Sequence, residues 1–133
     1  MTIGYFEEQS AITQYLDSQF SGYGILYFID NEEVGKVSVS EWCNVSVQPF
    51  DSKNLSIGTK AYRYWGMLYI QIFTRPSSGS GRNREIADIL SNIFRDTTVN
   101  MDIRFKVPKL AVVGVIDGWY QSTLSTEFFR EEF

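Results

Sequence analysis

The sequence predicts an α+β domain, a mainly antiparallel sheet with two helices packed on one face and a long hairpin loop. Three observations predict it. Apolar residues recur at a helical period in two separate segments, one at the start of the chain and one past its middle. Between and after them lie alternating or continuous apolar runs with strand character, the longest from Ala61 to Thr74. Near the C-terminus Asp117-Gly118, a dipeptide that tolerates positive φ, separates two such runs, as in a two-residue hairpin turn. A length of 133 residues fits one domain, 1–133.

The first helix is expected from about Thr2 to Phe20, with Tyr5, Ile12, Tyr15, Leu16 and Phe20 on the apolar stripe and Glu7, Glu8, Gln14 and Asp17 facing water. Ser21-Gly22-Tyr23-Gly24 breaks it. Ile25 to Ile29 follows as a buried strand that ends at the acidic turn Asp30-Asn31-Glu32-Glu33. Glu41 to Val47 reads as the next strand, placing Trp42, Asn44 and Ser46 on one face and Cys43, Val45 and Val47 on the other. Gln48 to Thr59 is polar enough to be a loop, yet it carries Leu55 and Ile57, which have no evident core partner.

Ala61 to Thr74 is the clearest strand. Tyr64, Leu68, Ile70 and Ile72 share one face; Arg63, Trp65, Met67, Tyr69, Gln71 and Phe73 share the other, which suits an interface or the underside of a covering helix. After Pro76 and the Ser/Gly stretch, Ile86, Ile89, Leu90, Ile93 and Phe94 give the second helix. Asn100 to Val107 alternates as a strand that Pro108 ends, and Leu110 to Ile116 is expected as a buried strand paired with Trp119 to Phe129.

The inventory of side chains excludes whole classes of chemistry. There is no histidine and one cysteine, so Ser-His-Asp and Cys-His catalysis, Cys/His zinc patterns and an intrachain disulfide are ruled out. Cys43 has no histidine to deprotonate it and reads as a packed thiol. The N-terminal residues lack a signal-peptide pattern and no apolar run approaches a membrane span, which points to a cytoplasmic protein. A net charge of −4 argues against a generally basic nucleic-acid binder. That charge is unevenly spread: residues 1–51 hold eight acids against one base, whereas 52–133 hold eight acids against eleven bases. Opposed acidic and basic faces orient neighbouring subunits, although a solvated surface also accommodates such segregation.

The passage most like an active site is Gly79-Ser80-Gly81-Arg82-Asn83-Arg84, where a helix N-terminus and two arginines meet. It lacks the third glycine of a dinucleotide fingerprint and the Gly-Lys-Ser/Thr of a P-loop, so a connector with Ser80 as helix cap is the plainer reading. The adjacent pairs Glu32-Glu33 and Glu131-Glu132 read as solvated charge, because neighbours on a strand point to opposite faces. No cofactor is implied. Tyr62, Tyr64, Trp65, Tyr69, Trp119 and Tyr120 read as core and subunit contacts rather than base-stacking groups.

Tyr62-Arg63-Tyr64-Trp65-Gly66-Met67-Leu68-Tyr69-Ile70-Gln71-Ile72-Phe73, then Pro76, Gly79 and Gly81, Ala87-Asp88-Ile89-Leu90 with Phe94, and Asp117-Gly118-Trp119-Tyr120-Gln121 together resemble the tail terminator (tail completion) proteins of long-tailed bacteriophages. The detailed likeness covers about residues 61 to 129; before that only the order of elements agrees. It implies a non-enzymatic virion protein that forms a hexameric ring. Such a ring caps the tail tube protein, ends tube polymerisation, offers a surface to the head–tail connector protein, and lets genomic DNA pass through its lumen without tight binding. It would sit at the head-proximal end of the tail, assembled in the host cytoplasm, with no membrane partner. Within that reading Lys53, Leu55, Ile57, Lys60, Arg63, Trp65, Tyr69, Arg82 and Arg84 are the candidate subunit or tube contacts. Another neck or head-completion ring protein, and a small nucleotide-binding enzyme working through Gly79 to Arg84, are the alternatives.

Overall fold

A computed structural model describes residues 4–29, 39–100 and 102–133. The expected acidic turn at Asp30 to Glu33 and the place of Met101 in its strand lie outside the described residues. Among these residues two α-helices, α1 (Tyr5–Phe20) and α2 (Gly79–Phe94), accompany seven strands: β1 (Leu26–Ile29), β2 (Glu41–Asn54), β3 (Tyr62–Thr74), β4 (Thr98–Val99), β5 (Ile103–Phe105), β6 (Lys109–Ile116) and β7 (Trp119–Glu132). The strands form one sheet in the order β1-β2-β3-β7-β5-β4, and β6 also pairs with β7. Every pairing is antiparallel except β1 with β2. The α+β prediction therefore holds, with both helices on one face.

That face is built by strict alternation. Cys43 and Val45 on β2, Leu68, Ile70 and Ile72 on β3, and Leu124 and Phe128 on β7 meet Ile12, Leu16 and Phe20 of α1 and Ile86, Leu90 and Phe94 of α2 in one core. The helices are tied to each other where the Tyr15 hydroxyl donates to the Ile93 carbonyl at 3.0 Å. α1 starts at Gly4, whose N–H donates to the Glu7 carboxylate at 3.0 Å, one half of a capping box. Its stripe is displaced from the expected one: Glu8 is buried and Tyr5 is 53% exposed. Glu8 belongs to the face at Ile12, Leu16 and Phe20, four residues apart, and Arg130 beneath it makes a buried carboxylate tolerable.

Four other expectations are corrected. Gln48 to Asn54 is not a loop: β2 continues through a bulge between Pro49 and Asp51 and pairs with β3 to Asn54–Tyr62. Its polar side chains are compatible with a strand because this part projects past the helices, and the main-chain ladder needs no apolar side chains. The strand expected over Asn100 to Val107 is instead two short strands around a turn, since Asn100 takes φ +54° and the Asp102 N–H bonds back to the Val99 carbonyl at 3.3 Å. β6 is not buried. Leu110, Val112, Val113, Val115 and Ile116 are each at least 37% exposed, because β6 continues the sheet beyond the cover of the helices. The hairpin turn at Asp117-Gly118 is present, both residues having positive φ. β1 is buried only in part: Ile25, just before it, is 5% exposed, but Leu26 is 42% exposed.

Candidate interaction surfaces

The face of the sheet opposite the helices carries the second set of alternating residues. Cross-strand partners define its rows: Lys53, Arg63 and Glu131; Asp51, Trp65, Phe129 and Arg104; Ser46, Tyr69, Ser125 and Lys109; Asn44, Gln71 and Thr123. Neither helix covers it, so the aromatic face of β3 is not the underside of a helix. At one end the Arg63 guanidinium lies 5.1 Å from the Phe129 ring and 5.8 Å from Trp65, and it pairs with Glu131. At the other end Trp42 stacks on Phe73 at 4.0 Å, and Arg75 lies 4.0 Å from the Trp119 ring. Between them Asn44, Ser46, Gln48, Tyr69, Gln71 and Thr123 line a shallow hollow of about 310 Å³. The Asn44 amide donates to Gln71 at 3.2 Å.

The β2–β3 hairpin forms an arm. From Glu41 to the turn at Leu55 the strand spans about 46 Å at about 3.3 Å per residue. Its turn is closed by the Leu55 N–H donating to the Ala61 carbonyl at 2.7 Å, with the Ser56 and Thr59 hydroxyls in contact and Gly58 at φ +83°. Leu55 is 37% exposed and Ile57 is fully exposed. The candidate residues Lys53, Leu55, Ile57 and Lys60 therefore lie together at the tip, all exposed. Arg63 and Trp65 come next along β3, with Tyr69 half-buried in mid-sheet.

Arg82 and Arg84 are not part of that cluster. The Gly79 to Arg84 passage is the first turns of α2 rather than a loop, and Ser80 lies inside the helix. Arg82 grips Glu41 at the start of β2 with two bonds of 2.7 Å and touches Glu85 at 3.2 Å, so it locks the helix to the sheet. The Arg82 guanidinium holds Glu41 below the usual carboxylate range. Arg84 points to solvent. Between them Asn83 is fully buried; its amide donates to the Ile72 and Tyr120 carbonyls and Thr74 hydroxyl at 3.1, 3.2 and 3.2 Å, and its carbonyl accepts from Ser122.

Of the carboxylates expected as solvated charge, Glu32 and Glu33 lie outside the described residues, and Glu131 and Glu132 are in fact paired, Glu131 with Arg63 and Glu132 with Arg130 at 3.0 Å. Cys43 is buried as expected, and burial followed by the nearby Glu41 charge pushes its thiol up to about 12. Two surfaces were not singled out from the residues alone, the exposed strand β6 and the exposed aromatics Tyr5 and Phe6 at the start of α1, beside Val47 and Pro49 of β2; exposed Phe50 lies instead with Gln48, Met67 and Tyr69. Lys109, Gly114 and Asp117 were available as signals that β6 borders solvent, and they were outweighed by its continuous apolar run. Among the described residues no helix is long and apolar enough to cross a membrane.

No protein-family model and no curated protein matches this chain. Among solved structures, a protein known only by a sequence label is similar over 94% of this chain and 96% of its own, with a TM-score of 0.68 and 13% identity. A likeness at that identity bears on the fold alone.

Proposed function

We propose that this chain is a structural assembly protein of a long-tailed bacteriophage, a ring-forming tail terminator that caps the tail tube, ends its polymerisation and presents the surface to which the head attaches. One observation carries the reading furthest: the β2–β3 arm ends in Leu55 and a fully exposed Ile57, flanked by Lys53 and Lys60. Apolar side chains held at the tip of a two-stranded arm do nothing for the core, and suit docking on another protein. The ordered resemblance across residues 61 to 129 supports the same reading. So does the uneven charge, because a heterologous ring joins one face of each subunit to a different face of the next. We assign no catalytic residue and no cofactor, and place genomic DNA in the lumen without tight contacts, since a firm grip on many phosphates would resist its passage.

Electron microscopy of particles made without this protein tests the reading. Abnormally long, headless tails are the expected result. Tails of normal length would instead favour the second reading, another neck or head-completion ring protein. Leu55→Ser with Ile57→Ser is expected to leave the fold intact and to weaken ring or tail binding; an unchanged assembly titration removes the arm from the mechanism. Micromolar binding of ATP or NAD by calorimetry would favour the nucleotide-binding alternative.

A further inference from the structure

We infer that two copies of the free chain join across a two-fold axis by pairing β6 with β6, so that their sheets continue into one; the contact does not rest on the ring reading above. β6 is hydrogen-bonded to β7 along one edge and has no strand partner on the other among the described residues. The segments outside those residues precede α1, join β1 to β2 and join β4 to β5, so none adjoins β6 in the chain. Leu110 and Val115 are 37% and 60% exposed, although they lie on the side of the sheet that elsewhere carries the core. Edge protection is confined to Pro108 and Lys109 at the start and a bulge between Val112 and Gly114. A strand of this kind is a ready template for another strand.

Main-chain direction, facing and charge select a reversed second copy as the occupant. Ile116 and Trp119 flank the two-residue turn and form a hydrogen-bonded pair. By alternation the odd-numbered residues of β7 bond towards the β6 side, and farther along the Lys106 N–H donates to the Glu127 carbonyl at 2.9 Å in the same sense. Their partners on β6 are Ile116, Gly114, Ala111 and Lys109, which leaves Leu110, Val112 and Val115 to direct their N–H and C=O groups outwards. Leu110 and Val115 pair with Leu124 and Tyr120 and face the helix side; Lys109 and Ile116 pair with Ser125 and Trp119 and face the open side.

An antiparallel register that sets Leu110 opposite Val115 of the second copy also sets Lys109 opposite Ile116. Like faces then meet, outward main-chain groups meet outward ones, apolar side chains pair on the helix side, and the bulge falls on the axis. A shift by one residue would turn the apolar side chains to opposite faces. Lys109 and Asp117 are exposed, and neither has an ion-pair partner among the described residues. The same register brings Lys109 beside Asp117 of the other copy at both ends of the contact. One surface is used twice, so the assembly closes at two copies, unlike the head-to-tail joints of a ring.

The test uses the full chain. Sedimentation velocity is expected to show a reversible monomer–dimer equilibrium. Val115→Glu alters an exposed position and is expected to weaken it by about tenfold or more, while the thermal midpoint in dilute solution, where the chain is monomeric, stays unchanged. Asp117→Asn, which suits the same turn, is expected to weaken it to a smaller extent. Register is read by cross-linking: Lys109→Cys mixed with Ile116→Cys is expected to give a disulfide-linked dimer on oxidation, while each variant alone stays unlinked, Cys43 being buried. A wild-type chain that stays monomeric as its concentration is raised, self-association undiminished by Val115→Glu, or linkage no faster in the mixture than in either variant alone overturns this contact. The ring reading is judged separately, by tail length in particles lacking the protein.

Discussion

Glu8 and Arg130 stand 122 positions apart in the chain and form an ion pair at 3.2 Å in which each side chain is only 1% exposed. Arg130 also donates to Glu132 at 3.0 Å and lies 4.2 Å from the Tyr64 ring and 5.5 Å from Tyr5. One guanidinium thus binds the first turn of α1 to the ends of β7 and β3. Removing either member leaves a charge in a place water does not reach. Glu8→Ala or Arg130→Met is expected to cost about 3–5 kcal/mol, and Glu8→Leu with Arg130→Met to recover most of it. Urea unfolding of the three variants measures this; additive losses in the double variant would contradict it.

Stability should depend on pH through two glutamates with opposite signs. Burial raises the Glu8 pKa from its ordinary 4.5, only partly offset by Arg130, so its contribution is full below pH 4.5 and is lost as pH rises through the raised value. Arg82 lowers the Glu41 pKa through its hydrogen bonds, against a smaller effect of burial, so that contribution is present above 4.5 and lost as pH falls through the lowered value. Glu41→Gln is expected to flatten the acid side of the stability curve and Glu8→Gln the side above 4.5. Urea midpoints from about pH 3 to 7 check both slopes.

Gly66 is required by a close approach. A methyl group there would run into the Phe128 ring across the β3–β7 pairing, and Phe128 is fully buried, with no space to swing into. Gly66→Ala is expected to cost about 1–3 kcal/mol as an overpacked site. Combining it with Phe128→Leu is expected to lose less than the two single effects added together, measured by denaturant unfolding.

Asn83 joins α2 to three separate main-chain and side-chain partners on β3 and β7 and accepts from Ser122. Asn83→Ala strands those buried groups and is expected to cost about 3 kcal/mol or more. Asn83→Asp keeps the shape but cannot donate, and is expected to be at least as damaging. Loss of amide exchange protection in the first turns of α2 is the accompanying signature.

Cys43 should be inert in the folded protein. With its thiol pushed up to about 12 and no exposed surface, alkylation by iodoacetamide at mildly alkaline pH is expected to be at least about 100-fold slower than in urea-unfolded chain. Mass spectrometry of timed samples gives the ratio; equal rates would contradict the burial of this residue.

The parts of the fold legible in the residues are those governed by local rules. The stripe at Ile86, Leu90 and Phe94 names a helix whatever surrounds it, and Leu68, Ile70 and Ile72 name the core side of β3. Asp117-Gly118 names a turn through its positive φ. The exposure of Leu55 and Ile57 is legible for a related reason: both stand in polar sequence with nothing to pack on. The Arg82–Glu41 pair is not legible in the sequence, because an arginine beside two glycines has the same local signature whether it is free or already holds Glu41, forty-one positions away.

Local period and turn chemistry by themselves determined the α+β class, both helices, the long central strand and the final hairpin, and composition alone excluded histidine-based chemistry. Tertiary structure alone decided that β2 runs on as an arm, that β6 stands uncovered and that Glu8 turns inward. The physical reason is that burial is a property of what lies alongside. An apolar strand is core or edge, and a carboxylate solvated or paired, according to neighbours brought from far along the chain, and no period of two or 3.6 residues records them.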